Sequence, residues 1–438
     1  MTLRPLLTVA LSLWSLTSGA CNGNQDAADL LRDKTSEDSG DATSSTDPSD
    51  PTRPMSDEEV ARQVIDGKIS IEEGMHAIAW SGGFPVATSE GTFLFLFASE
   101  YTGWGWAGTL NKWEPTRMEE REGLFWIELE IPDPEGQRYK FVNDTTWLPD
   151  PMARSYMYDE FGENSYVRPP TDTFRLDRWP SLESSGLATR DVRVYVPDGP
   201  GPWPVLYVQD GQNLFNPAAS YGGWRLQEAA ERLGEDILIV GIDHGGDARM
   251  DEYAHTNDTY NGEPIGGQGD AYVELMHTVI RPHVQESYST RKPTGVMGSS
   301  MGGLISLYTA HQHPNTYDYA ASLSGSLWFG TLEENNPTMQ ELWTDDGVLP
   351  IRVYVDSGGG DGGDGCNDRD GDGYTEDDPN HTDSYCINRQ FADALDTAGY
   401  AFNEDLYHWH EPGAEHNEAA WAARIDQPLR LFVELIEE

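Results

Sequence analysis

The chain has 438 residues and a mass of 48.7 kDa, which suits two or three domains rather than one. Apolar residues make up 37% of it and 45 glycines add to them, so a large core can form and wholesale disorder is excluded. A net charge of −47 argues against a nucleic-acid partner, which needs basic surface to displace counterions, and against polybasic docking on anionic lipid.

Residues 1–20 read as an export signal. Arg4 is the one early charge, and the apolar stretch Leu6–Leu16 is too short to cross a bilayer as a mature helix. Small Ser18 and Ala20 suit a signal peptidase. Cys21, directly after Gly19-Ala20, resembles the acylation box of bacterial lipoproteins, with Ser18 where an aliphatic residue usually stands. The expected product is exported: anchored at the bacterial cell envelope (periplasm or outer surface) through lipidated Cys21, or secreted. Residues 21–75 then read as an acidic, disordered stalk. Over 22–60 acids outnumber bases 11 to 3, and Asp, Ser, Thr and Pro dominate. A short helix is expected within 56–73, because Ser56 followed by Glu59 is a capping-box pattern.

Residues 76–170 read as a small all-β domain. Thr92–Phe97, Leu124–Ile131 and Arg138–Val142 are strand-like runs separated by Gly, Pro and Asn-Asp. The stretches Trp106–Trp113, Gly123–Trp126 and Trp147–Pro151 resemble the immunoglobulin-like early-set domains of starch-binding and glycogen-branching proteins. A related domain precedes the catalytic domain in enterochelin-esterase-like proteins, so the resemblance implies an immunoglobulin-like sandwich here. Trp104, Trp106 and Trp113 are expected to pack in it, with stacking on sugar rings as the alternative.

Residues 171–438 alternate strand-like and amphipathic runs. Strands are expected at 192–196, 205–208, 237–241, 294–297 and 351–355, and helices at 224–233 and 271–284. This pattern predicts an α/β domain with a doubly wound, mostly parallel sheet. Gly298-Ser299-Ser300-Met301-Gly302 follows one of the strands and opens a helix. It is a G-x-S-x-G nucleophile elbow in the context such an elbow needs. Gly298 and Gly302 let backbones approach, and the helix N-terminus favours the negative charge that develops beside Ser300.

A serine nucleophile needs a base, and the base an orienting acid. His416, at the start of the last helical region, is the expected base, with His408 and His410 in the preceding strand as competitors. The acid is expected in the loop after Ile351–Val355. Ser357-Gly358-Gly359-Gly360-Asp361 favours Asp361, and Asp356 at the strand end is the other choice. The backbone N–H groups of Met301 and Gln212 are the expected oxyanion hole. Asp210 reads as a turn former.

The elbow, the stretch Leu206–Asn213, the stretch Gly241–Tyr253 and the His416 region resemble the putative-esterase family. That family includes enterochelin, feruloyl, acetylxylan and esterase D-like enzymes. The resemblance covers 76–438 and implies an α/β-hydrolase fold and carboxylic ester hydrolysis by a Ser-His-Asp triad, with no cofactor for the chemistry. Small-molecule or polysaccharide-linked esters are the implied substrates. A different reading is a non-catalytic calcium- or carbohydrate-binding surface lipoprotein.

An insertion over 357–386 departs from the family pattern. Asp368-x-Asp370-x-Asp372-Gly373 matches the start of an EF-hand-type calcium loop, with Tyr374 and Glu376 as further ligands. Pro379 stands where the usual bidentate Glu would be, leaving Asp377 or Asp378 as substitutes; a merely solvated acidic loop is the alternative. Cys366 and Cys386 flank the loop. In an exported protein they are expected to form a disulfide, stabilising by about 3 kcal/mol on the chain-entropy argument.

Overall fold

The computed structural model describes residues 53–437 apart from 145, 185, 261, 332–335, 361–364 and 378–382. The export signal, Cys21 and most of the stalk lie outside the described residues. No helix among the described residues is long and apolar enough to cross a membrane.

The first described elements are helices Asp57–Ile65 and Ile71–Ala79. Ser56 caps the first as expected: its hydroxyl accepts from Glu59 N–H, and the Glu59 carboxylate accepts from Ser56 N–H at 2.8 Å. Where the capping pattern predicts one helix over 56–73, two form. Gly67 takes a φ of +73° and breaks the first, and Ser70 caps the second. The stalk reading of 56–75 is corrected here. Ala61, Val64 and Met75, together with Ile78 beyond, are buried against Phe84, Val86, Leu94 and Leu96.

That packing explains the run Thr92–Ala98, which is buried through Phe93–Phe97 rather than alternating with polar residues. Phe93, Phe95 and Phe97 face a second sheet carrying Trp106, Tyr139 and Phe141, while Leu94 and Leu96 face the helices. Two sheets thus enclose an aromatic core, as a small sandwich does. Trp104 and Trp106 are 3% and 1% exposed and belong to that core, so sugar stacking by these two is excluded. Trp113 instead lies 6.3 Å from the exposed ring of Trp147.

From residue 175 onward eight strands form the larger sheet: β1 (Arg175–Ser184), β2 (Leu187–Val196), β3 (Trp203–Gln209), β4 (Leu238–Ile242), β5 (Thr290–Ser299), β6 (Tyr319–Leu323), β7 (Arg352–Ser357) and β8 (Leu406–His410). Their order is β8-β7-β6-β5-β3-β4-β2-β1, parallel from β8 through β4. This is the mostly parallel α/β-hydrolase sheet that the sequence predicts. Alternate residues of β3 face opposite cores: Val205 and Tyr207 one, Leu206 and Val208 the other. Burial on both sides is why these strands read as continuous apolar runs. The ladder does not stop at the expected boundary near 170: Tyr156 pairs with Leu176, so the sandwich's second sheet and the larger sheet are one hydrogen-bonded surface.

The helical stretch expected at 271–284 runs as Gly269–Leu275, one π turn at Met276–Ile280, and Arg281–Ser287. Its His283 meets Trp179 edge-on at 4.0 Å and Trp80 at 4.8 Å, where the helix Ile71–Ala79 ends on the larger sheet. Burial, and then the Arg154 charge, push the imidazole down to about 4. The unfolded chain therefore takes up this proton first as pH falls. The contribution is complete above about pH 6.5 and is lost towards pH 4, by about 2–3 kcal/mol. His408, likewise pushed to about 4 by burial and then Arg389, adds a step of the same sign. We expect Tm to drop across that window and His283→Phe to drop less; equal slopes in calorimetric scans would refute the assignment.

Candidate active site

Ser300 stands between the end of β5 and helix α1 (Met301–Gln312). Its backbone has φ 57° and ψ −127°, a strained conformation for a residue with a side chain. A Cβ on Gly298 would lie 2.5 Å from the carbonyl carbon of Gly302, so the turn closes only with Gly there. The end of β6 and the turn after it hold the elbow: Ser300 N–H donates to Leu323 O at 2.9 Å, and Ser326 N–H donates to Ser300 O at 3.1 Å. Ser300 Oγ is 3.2 Å from Ser326 Oγ. Met301 begins the helix, so its N–H has no carbonyl one turn earlier to bond.

His416 precedes helix α3 (Glu418–Arg424), which Asn417 caps. Its Nδ1 lies 2.5 Å from Oδ1 of Asp383, whose carboxylate is fully buried. A carboxylate only accepts, so Nδ1 carries the proton and Nε2 is the free acceptor. The Trp421 ring sits edge-on to the imidazole at 5.2 Å. The other oxygen of Asp383 accepts from Ser324 Oγ at 2.8 Å and from the Gly358 N–H.

Asp383 is not among the acids expected from the sequence. Asp361, the expected acid, lies outside the described residues. Asp356, the alternative, is at the end of β7 but pairs with Arg424 at 2.9 Å and accepts from Tyr354. Burial holds the Asp356 carboxyl above its ordinary range, with Arg424 opposing. The one signal for Asp383 in the sequence is its position between Ser300 and His416 at the last turn before a helix. His408 and His410 lie on β8 against Tyr385, ring centroids 6.1 and 4.2 Å away.

Gln212 lies in the short turn Gly211–Asn213 after β3, as expected, and its side chain accepts from His244 N–H at 3.2 Å. Asp210 starts that turn with φ 59° and holds Arg249 through two bonds of 2.7 and 2.8 Å. Burial opposes the Arg249 charge, yet Asp210 outweighs it and raises the guanidinium's pKa. Asp210 is thus both turn former and anchor.

Within the insertion, carboxylate oxygens of Asp368, Asp370, Asp372 and Glu376 lie within 4.8 Å of one another. Burial raises the Asp372 carboxyl, and the neighbouring carboxylates push the same way. Tyr374 O–H lies 2.7 Å from Thr338 Oγ1, and its N–H donates to Asp372. Asp377 is not in the cluster. It accepts from the N–H groups of Asp383, Tyr385 and Cys386 and so caps helix α2 (Tyr385–Ala398). Asp378 lies outside the described residues. Cys366 and Cys386 form the expected disulfide, Cα atoms 5.3 Å apart.

A family model described as Putative esterase matches residues 187–432. YbbA of Bacillus subtilis (strain 168), an uncharacterized protein, is 30% identical over 166 residues, 35% of this chain and 64% of its own. The siderophore triacetylfusarinine C esterase of Aspergillus fumigatus is 30% identical over 141 residues, 31% of this chain and 48% of its own. The chain therefore spans about half to two thirds of the length of these relatives. Among solved structures, the enterobactin esterase FES from Shigella flexneri is 15% identical with a TM-score of 0.43, covering 79% of this chain and 94% of that one. A ferulic acid esterase is 17% identical with a TM-score of 0.44, covering 60% and 99%.

Proposed function

Because the chain belongs to the putative-esterase family, we propose that it is an exported serine esterase that hydrolyses carboxylic esters through an acyl-enzyme. One observation carries this reading: a serine on a strained strand-to-helix elbow, with a histidine beyond the last parallel strand locked by a buried carboxylate. Ser300 Oγ attacks the ester carbonyl. His416 Nε2 takes the hydroxyl proton, and Asp383 holds Nδ1–H and stabilises the cation that forms. The N–H groups of Met301 and Gln212 receive the developing oxyanion. His416 then gives its proton to the leaving alcohol, and a water repeats the sequence on the acyl-enzyme. In this assignment Asp383 takes the role expected of Asp361.

Two substrate classes fit: siderophore lactones and acyl groups on plant polysaccharide. The acidic surface weighs against an anionic ferric siderophore, a preference that salt weakens. The test is hydrolysis of p-nitrophenyl acetate and butyrate, with a fluorophosphonate probe and peptide mapping. Turnover and one label on Ser300 are expected. A folded protein with neither would favour the non-catalytic surface lipoprotein. Export and anchoring through Cys21 rest on the sequence and agree with the disulfide, which suits an oxidising compartment. Metabolic labelling with a fatty-acid analogue should mark Cys21 and not Cys21→Ser.

We also propose a structural calcium ion held by Asp368, Asp370, Asp372 and Glu376, with the Tyr374 backbone as a further ligand. Support comes from alternate carboxylates with Gly373 at the bend and from their convergence. Calorimetry should show one ion bound at millimolar calcium or below, and Asp370→Asn should weaken it. Absence of heat at millimolar calcium would reject the site.

A further inference from the structure

We propose that Arg424 is a positioning residue for this reaction, holding the Asp383 carboxylate against His416 through the Ser324 hydroxyl; the inference rests on the triad reading above. The hydroxyl makes three bonds: to Asp383 Oδ2 at 2.8 Å, to Trp421 Nε1 at 3.1 Å and to Arg424 Nη2 at 2.6 Å. Indole and guanidinium only donate, so Ser324 must accept from both. Its single proton is left for Asp383. The direction of every bond in the chain is therefore fixed by chemistry.

Position needs this support. Asp383 reaches the site at the end of a long insertion rather than on a strand. Arg424 ends helix α3, and Ser324 sits in the turn leaving β6. Ser324 is fully buried with φ 47°, and its N–H is tied to Asp356 O at 2.9 Å. Arg424 is 4% exposed; the same Nη2 bonds Asp356 Oδ1 at 2.9 Å and stands 3.8 Å from Asp383 Oδ2. With Gly358 N–H and Ser324 O–H on Oδ2, only Oδ1 is left for His416.

Charge points the same way. Two carboxylates, Asp356 and Asp383, share one guanidinium in the resting site. When His416 takes the serine proton, a second positive charge completes the set. The arrangement is then best balanced in the transition state, which is where stabilisation raises the rate.

The experiment compares Arg424→Met, Arg424→Lys, Ser324→Ala and the Arg424→Met/Ser324→Ala double variant, each well below its own Tm. Arg424→Met and Ser324→Ala should each lower kcat by about 10–100-fold with KM little changed, as loss of supporting shells does elsewhere. Arg424→Lys should recover part of the loss. The double variant should be no slower than the worse single one, because both act on one bond. The low-field proton resonance of His416 Nδ1–H should shift in both single variants. Wild-type kcat in folded Arg424→Met, or independent multiplying losses in the double variant, overturns the proposal. If Arg424→Met does not fold, Ser324→Ala with unchanged kcat and resonance overturns it. Ser300→Ala is run alongside: activity surviving there defeats the triad reading itself, whereas activity lost there and unaltered in Arg424→Met defeats only this inference.

Discussion

Ser300→Ala should lower kcat for p-nitrophenyl acetate by about a million-fold, the scale seen when a triad nucleophile is removed. Stability should hardly change. The hydroxyl's one hydrogen-bond partner among the described residues is Ser326 Oγ at 3.2 Å, and losing such a bond costs about 1 kcal/mol or less. Backbone strain is the same for Ala as for Ser at φ 57°, since both carry a Cβ. The fold therefore keeps its elbow while losing the one atom that can attack. Residual catalysis above water should persist, because the Met301 and Gln212 amides are backbone groups that the substitution leaves in place. Parallel measurements of kcat and Tm check the separation. A folded variant that turns over like wild type would place the chemistry elsewhere.

Much of this fold is written locally in the chain. β3, β4 and β7 read as strands because burial on both faces makes each one a nearly continuous apolar run. The elbow is legible because its glycines answer a steric demand confined to five residues: Gly298 must come close to Gly302. His416 is legible from its place just before a helix in the last part of the chain. What stays hidden depends on distant partners. The ladder from Tyr156 to Leu176 joins two regions that look separate by composition. The helices over 57–79 look like part of a stalk because their apolar side is short and their solvent side acidic; the strand at 92–98 is what covers them. Asp383 is hidden for a third reason. Residues 356–384 hold ten acids, and sequence alone ranks them by turn motifs. The structure separates those among the described residues by what surrounds each: Asp356 faces Arg424, Asp377 caps α2, and Asp383 faces His416.

That ranking yields the sharpest test of the site. Asp383→Asn should lower kcat about ten-thousand-fold, the size expected when a triad acid becomes its amide. The reason lies in the neighbours. Ser324 O–H and Gly358 N–H both donate to Oδ2 of Asp383. An amide must therefore turn its oxygen towards them and its NH2 towards His416. His416 Nδ1 would then have to accept, which moves the ring proton to Nε2 and removes the base. Volume and shape barely change, so the loss should come without unfolding. Asp361→Asn should leave kcat within about twofold, because assigning the triad acid to Asp383 leaves Asp361 no part in the chemistry. Asp356→Asn should act chiefly on stability, because it leaves Arg424 buried without its principal partner. Steady-state kinetics on the three variants, with Tm measured on each, separate the roles. A large loss of kcat in Asp361→Asn with none in Asp383→Asn would return the catalytic acid to the glycine-rich turn after β7, and the bond between Asp383 and His416 would then serve the fold alone.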